Sequence, residues 1–137
     1  MHTLLAPIQQ DIIRNATAAV VADVPEVSDY RHLQLQIAAT SESGAGATIK
    51  VYGSYSATRP DFSEAATISN QHFPVSIKNL DTVANINGAT GITLGASETL
   101  INGYMVNTDA LKWLSVVVSD VTGTVDISVR LFAAQTN

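Results

Sequence analysis

The chain has 137 residues, 46% of them hydrophobic and only 14% charged, with a formal charge of -5, three histidines and no cysteine. That length fits one domain able to bury a core without staples, and the lack of cysteine excludes disulfides, thiolate zinc sites, iron–sulfur clusters and cysteine nucleophiles. The longest apolar runs, residues 16–22 and 113–118, fall far short of the ~20 residues a membrane helix needs.

Charge is spread evenly: residues 1–69 hold four Lys/Arg against seven Asp/Glu, and residues 70–137 three against five. No basic patch offers itself to nucleic acid, so neither nucleic acid nor membrane is an expected partner. There is no Lys or Arg before Arg14, hence no secretory signal pattern, and the mature chain is expected to start at residue 1.

Residues 1–12 precede the regular pattern and carry Leu4, Leu5, Ile8 and Ile12 among polar neighbours. They read as an N-terminal arm, with one domain over 13–137. Residues 11–22 fit helix or strand equally. Leu33-Gln34-Leu35-Gln36-Ile37 alternates with period two, which puts its apolar residues on one face of a half-buried strand. Thr48-Ile49-Lys50-Val51-Tyr52-Gly53-Ser54-Tyr55 repeats the alternation, and Ser43-Gly44-Ala45-Gly46 between them predicts a hairpin that pairs the two antiparallel. The segment 57–72, with Pro60, is a long loop expected to cross between sheets or over an edge. Further strands are predicted over 73–80, 91–94 and 99–106. Thr108-Asp109-Ala110-Leu111 resembles a helical turn. Strands over 112–119 and 124–133 flank Asp120-Val121-Thr122-Gly123 and predict a second hairpin. Short strands about ten residues apart, separated by Gly, Asn, Asp and Ser turns, point to an all-β fold: a single antiparallel β-sandwich, jelly-roll-like, of about eight strands.

Motifs for chemistry are scarce. His2, His32 and His72 match no metal-ligand spacing and read as ordinary histidines. No serine lies in a G-x-S-x-G elbow. Gly44-Ala45-Gly46-Ala47-Thr48 lacks a P-loop lysine and precedes a strand, so it reads as a turn. Residues 81–88 offer oxygen side chains without the acidic spacing of a calcium loop and read as an Asx-rich turn. Asp61, Glu64, Glu98, Asp109 and Asp120 form no pattern that selects a catalytic pair. Trp113 shares a strand face with Ser115 and Val117, opposite Leu114, Val116 and Val118. Packing is the plain reading for Trp113, and a sugar-stacking platform with Tyr52, Tyr55 or Tyr104 the sharper one. The expectation is therefore a protein that is not an enzyme, with no catalytic, cofactor or metal residue.

Five stretches, in this order and spacing, resemble small virion structural proteins of tailed bacteriophages. They are Thr48-Ile49-Lys50-Val51-Tyr52-Gly53-Ser54, Arg59-Pro60-Asp61-Phe62, Gly88-Ala89-Thr90-Gly91-Ile92, Val106-Asn107-Thr108-Asp109-Ala110-Leu111-Lys112-Trp113-Leu114 and Thr122-Gly123-Thr124-Val125-Asp126-Ile127-Ser128-Val129. The likeness covers residues 30–132. It implies a β-sandwich on a capsid, neck or tail, foremost a capsid decoration (cement) protein that forms a homo-oligomer, by analogy a trimer, and touches the major capsid protein or another virion protein. The implied location is the virion, assembled in the host cytoplasm. Tail, neck or head-fibre attachment and a carbohydrate-binding module are the alternatives. Low charge and an arm suit such contacts, so Leu4, Leu5, Ile8, Ile12, Trp113 and Tyr104 are the interface candidates.

Overall fold

A computed structural model describes residues 8–24, 27–28, 30, 32–108 and 111–134, and these contain strands and no helix. The strands are β1 (Ile8–Ala16), β2 (Val20–Asp23), β3 (His32–Ser41), β4 (Gly46–Ser54), β5 (Phe73–Pro74), β6 (Ile77–Asn79), β7 (Asn85–Ile86), β8 (Ile92–Leu94), β9 (Thr99–Val106), β10 (Trp113–Thr122) and β11 (Val125–Ala134). The larger sheet has the order β1-β11-β3-β9-β6-β7; the smaller has β2-β10-β4-β5, with β8 beside β4. All pairings are antiparallel. The expected sandwich is present, with eleven strands in place of about eight.

The core follows from the alternation. Leu33, Leu35 and Ile37 of β3 and Val125, Ile127, Val129 and Leu131 of β11 point inward from the larger sheet. Ile49 and Val51 of β4 and Leu114, Val116 and Val118 of β10 meet them from the smaller. Adjacent strands in register, such as Leu35 between Leu131 and Tyr104, bring these side chains into rows. Ser115 is buried on the other side of β10, where its hydroxyl donates to the Ala22 carbonyl at 3.1 Å, so burial leaves it satisfied.

Both expected hairpins are overturned. β3 and β4 lie in opposite sheets, as do β10 and β11. Two alternating strands joined by a short Gly turn bury their apolar faces equally well side by side or across the core, and period-two patterning does not distinguish the two. Here the loops make arches. The Glu42 carbonyl accepts from Ala45 N–H (3.1 Å) and Ser97 N–H (3.0 Å), and Glu42 N–H donates to the Thr124 carbonyl (3.0 Å). Gly123 has φ 63°, and a Cβ there would stand 3.0 Å from Ala45 Cα and Cβ. The two arches therefore stack on each other through a position that has no room for a side chain.

Other differences have the same origin. Every connection except β4–β5 and β6–β7 passes from one sheet to the other. The predicted strand over 73–80 breaks at Val75 and Ser76: β5 stays beside β4, while β6 joins β9. Residues 11–22 form parts of β1 and β2. β1 also runs through the arm boundary drawn after Ile12, because residues 8–11 pair with β11 from Ile8 opposite Ala133 and the pairing resumes at Ile13; residues 1–7 lie outside the described residues. At 108–111, Leu111 N–H donates to the Thr108 carbonyl at 3.0 Å, a single turn; Asp109 and Ala110 lie outside the described residues. Residues 55–72 return to the smaller sheet without crossing to the larger. This loop lies over one end of that sheet, since Trp113 Nε1 donates to the Ser56 carbonyl (2.9 Å) and Arg59 reaches the Val24 carbonyl (3.1 Å).

Candidate functional site

The outer face of the larger sheet is where side chains depart from what a solvated strand requires. Outward positions of a half-buried antiparallel sheet are normally polar. On β9 and β11 they include Ile101 (66% exposed), Met105 (39%) and Phe132 (45%), and Leu80 (43%), just past β6, joins them. The register assembles them. Phe132 stands opposite Gln34, and Gln34 opposite Met105; one row over, Arg130 stands opposite Gln36, and Gln36 opposite Gly103; beyond that, Ser128 stands opposite Ala38, and Ala38 opposite Ile101. Leu80 N–H donates to the Gly103 carbonyl at 2.9 Å, and its side chain lies 3.3 Å from where a Gly103 Cβ would be.

Relief on this face comes from alternating large and small residues. Three open depressions of about 360, 340 and 220 Å³ lie along it, at Ala38 and Ser128, at Gly103 and Gln36, and at Thr40 and Thr99. One margin is ionic: Asp11 accepts from Arg130 Nε at 2.9 Å and pairs with Arg14 Nη2 at 2.8 Å. The Arg130 hydrogen bond, followed by Arg14, holds the Asp11 carboxyl below the usual carboxylate range. These three side chains pair with one another, while Lys78, opposite Met105, and Asp126, opposite Thr40, stand on the same face outside that cluster.

The interface candidates from the sequence fall elsewhere. Leu4 and Leu5 lie outside the described residues. Ile8 is half-buried at the start of β1. Ile12 packs against the core, because the pairing of β1 slips between Asp11 and Ile13 and both isoleucines turn inward. Tyr104 is 1% exposed and belongs to the core, so it presents no contact surface; it shares the inward parity of Leu100 and Val106, a signal present in the sequence. Trp113 is half-buried on the outside of the smaller sheet. The Arg59 guanidinium lies 4.8 Å from its ring centroid and Lys112 Nζ 5.5 Å from it, while Arg59 also pairs with Asp23 at 3.3 Å.

The proposed sugar platform is not brought together. Tyr104 is inside, Tyr52 sits edge-on to His72 with ring centroids 5.6 Å apart, and Tyr55 lies against Phe73 at 4.9 Å. Two of the carboxylates considered for catalysis, Asp61 and Glu98, are engaged in turns, and Asp109 lies outside the described residues. Asp61 accepts from Ser63, which holds its carboxyl below the usual range, and Glu98 accepts from Gly95 N–H at 2.6 Å. His72 Nε2 is 2.9 Å from the Glu64 carbonyl. Asn79 and Asn87 accept backbone N–H groups at 2.8 and 2.9 Å, as Asx turns do. Among the described residues no three His, Asp or Glu gather as a metal-binding group.

No family model matches the chain, and no curated protein matches it. A solved structure does: the crystal structure of the SPBc2 prophage-derived protein YomS. It is similar with a TM-score of 0.57 and 17% sequence identity, over 98% of this chain and 100% of that one. The likeness extends end to end, so both chains share this arrangement as a whole fold.

Proposed function

We propose that this protein is a structural component of a bacteriophage particle, a capsid decoration protein that works by surface contact and not by catalysis. The observation that carries the reading is the uncovered outer face of the larger sheet, with four large apolar side chains standing where a solvated strand would carry polar ones. Support comes from the end-to-end likeness to a prophage-derived protein and from the residue stretches that resemble phage virion proteins. A net charge of -5 also suits the outside of a DNA container better than its lining. Its partners in this reading are copies of itself and the major capsid protein, with Leu4 and Leu5 in residues 1–7 as a further contact.

The test is co-sedimentation of the full chain with emptied, expanded capsids and, separately, with tails of the phage whose genes flank its own. Binding to capsids is the expected result. Binding to tails alone favours the tail or neck reading, and binding to neither overturns the virion role. Removing residues 1–7 is expected to weaken capsid binding; an unchanged affinity sinks the contribution of that segment. The deletion stops at residue 7 because residues 8–12 belong to β1.

A further inference from the structure

We infer that the outer face of the larger sheet packs against the same face of a second copy of this chain, in a two-fold symmetric dimer. The inference is independent of the virion role. Three properties of the face select this occupant. Beyond the paired cluster of Asp11, Arg130 and Arg14 at one margin, its remaining charges are of opposite sign at diagonally opposite corners, Lys78 on β6 opposite Met105 and Asp126 on β11 opposite Thr40, so a copy turned about a two-fold axis that lies in the interface, across the line joining them, brings each toward the other. Its central polar groups are the amides of Gln34 and Gln36, each of which carries donors and an acceptor; a surface of such groups is complementary to itself. Its relief pairs large residues (Phe132, Met105, Ile101) with small ones (Gly103, Ala38, Ser128) in adjoining register rows, so a copy turned about a two-fold axis supplies a projection for each depression.

The area is also of the right size. Four strands, β1, β11, β3 and β9, spaced about 4.8 Å apart and roughly 30 Å long, with the short β6 beside them, give a flat footprint of about 600 Å², on the order of a tenth of the 7625 Å² molecular surface and at the lower end of what a specific interface takes from each partner. A standard interface takes about 800 Å² from each partner, and two sheets packing face to face need no rearrangement to reach the usual ~10 Å separation. By contrast, the smaller sheet already has residues 55–72 over one end.

Sedimentation velocity of the full chain at about 50 µM, above the micromolar limit for interfaces of this size, is the test. The expected species is a dimer. Ile101→Lys with Met105→Lys should shift it to monomer, whereas Val21→Lys, exposed on the smaller sheet, should leave it dimeric. If circular dichroism shows that the double variant does not fold, Lys78→Glu serves instead: it sets a carboxylate toward Asp126 of the second copy in place of an ammonium and should weaken the dimer about tenfold or more. A wild-type monomer, a trimer, or a dimer indifferent to the substitutions on this face overturns the inference. Failure to bind capsids leaves it standing, and a monomer that binds capsids overturns it alone.

Discussion

Asp11 fixes the edge of the larger sheet by joining β1, through Arg14, to β11, through Arg130. Because folding lowers its pKa from the ordinary 3.8, its contribution is present above that value and is lost as pH falls through the lower folded value. Asp11→Asn is therefore expected to speed amide exchange in β1 at neutral pH and to flatten the part of the acid-unfolding curve below about pH 4; an unchanged curve would remove Asp11 from the account of this edge. Leu35 makes a different argument. It is fully buried between Leu131 and Tyr104, so Leu35→Ala leaves a cavity and should cost about 2–5 kcal/mol in urea unfolding. Burial at this scale was legible: Leu33, Leu35 and Ile37 follow from local parity alone. So was that of Tyr104, in phase with Leu100 and Val106, had parity been weighed above its side-chain chemistry. The apolar outward positions Ile101, Met105 and Phe132 were equally visible as exceptions to alternation, but only the pairing of β3 with both β9 and β11 makes them one surface.

At the scale of elements, the strands were legible and their partners were not. β9 matches its predicted bounds, β3 contains the run 33–37, and β4, β10 and β11 each miss their predicted run by one residue at one end. A Gly-containing turn between two alternating strands, however, serves a hairpin or an arch, and the hydrogen bonds of Glu42 to Ala45, Ser97 and Thr124 decide the matter only once residues far apart in sequence have met. The loop over 57–72 shows the same limit, since its role depends on Arg59 finding Asp23 and Trp113. If the stacked arches act as one unit, Gly123→Ala should disturb both. Its φ of 63° disfavours a side chain, and Ala45 blocks the Cβ. The expected cost exceeds about 1 kcal/mol, with faster amide exchange at Glu42 as well as near Thr124. A loss of protection confined to 120–125 would show that the arches open separately.

For the whole molecule, the decisive pairing is that of the described chain ends, β1 with β11, and of β11 with β3. Since β11 lies between two strands from the first third of the chain, the larger sheet cannot close until residues near 130 are present. Refolding is expected in the millisecond-to-second range typical of non-local β topologies, as a single cooperative transition. Removing residues 125–137 should abolish the transition altogether; a truncated chain that still unfolds cooperatively would assign the nucleus to the smaller sheet.

The pairing of Ile8 with Ala133 also determines how the domain bears load. Because the bonds of an antiparallel ladder run perpendicular to its strands, a pull that separates these two neighbours opens the ladder from that end, one rung at a time. A pull spread over the outer face of the larger sheet is shared among its strands. Held through its face the domain is a plate; held through its ends it is a zip fastener.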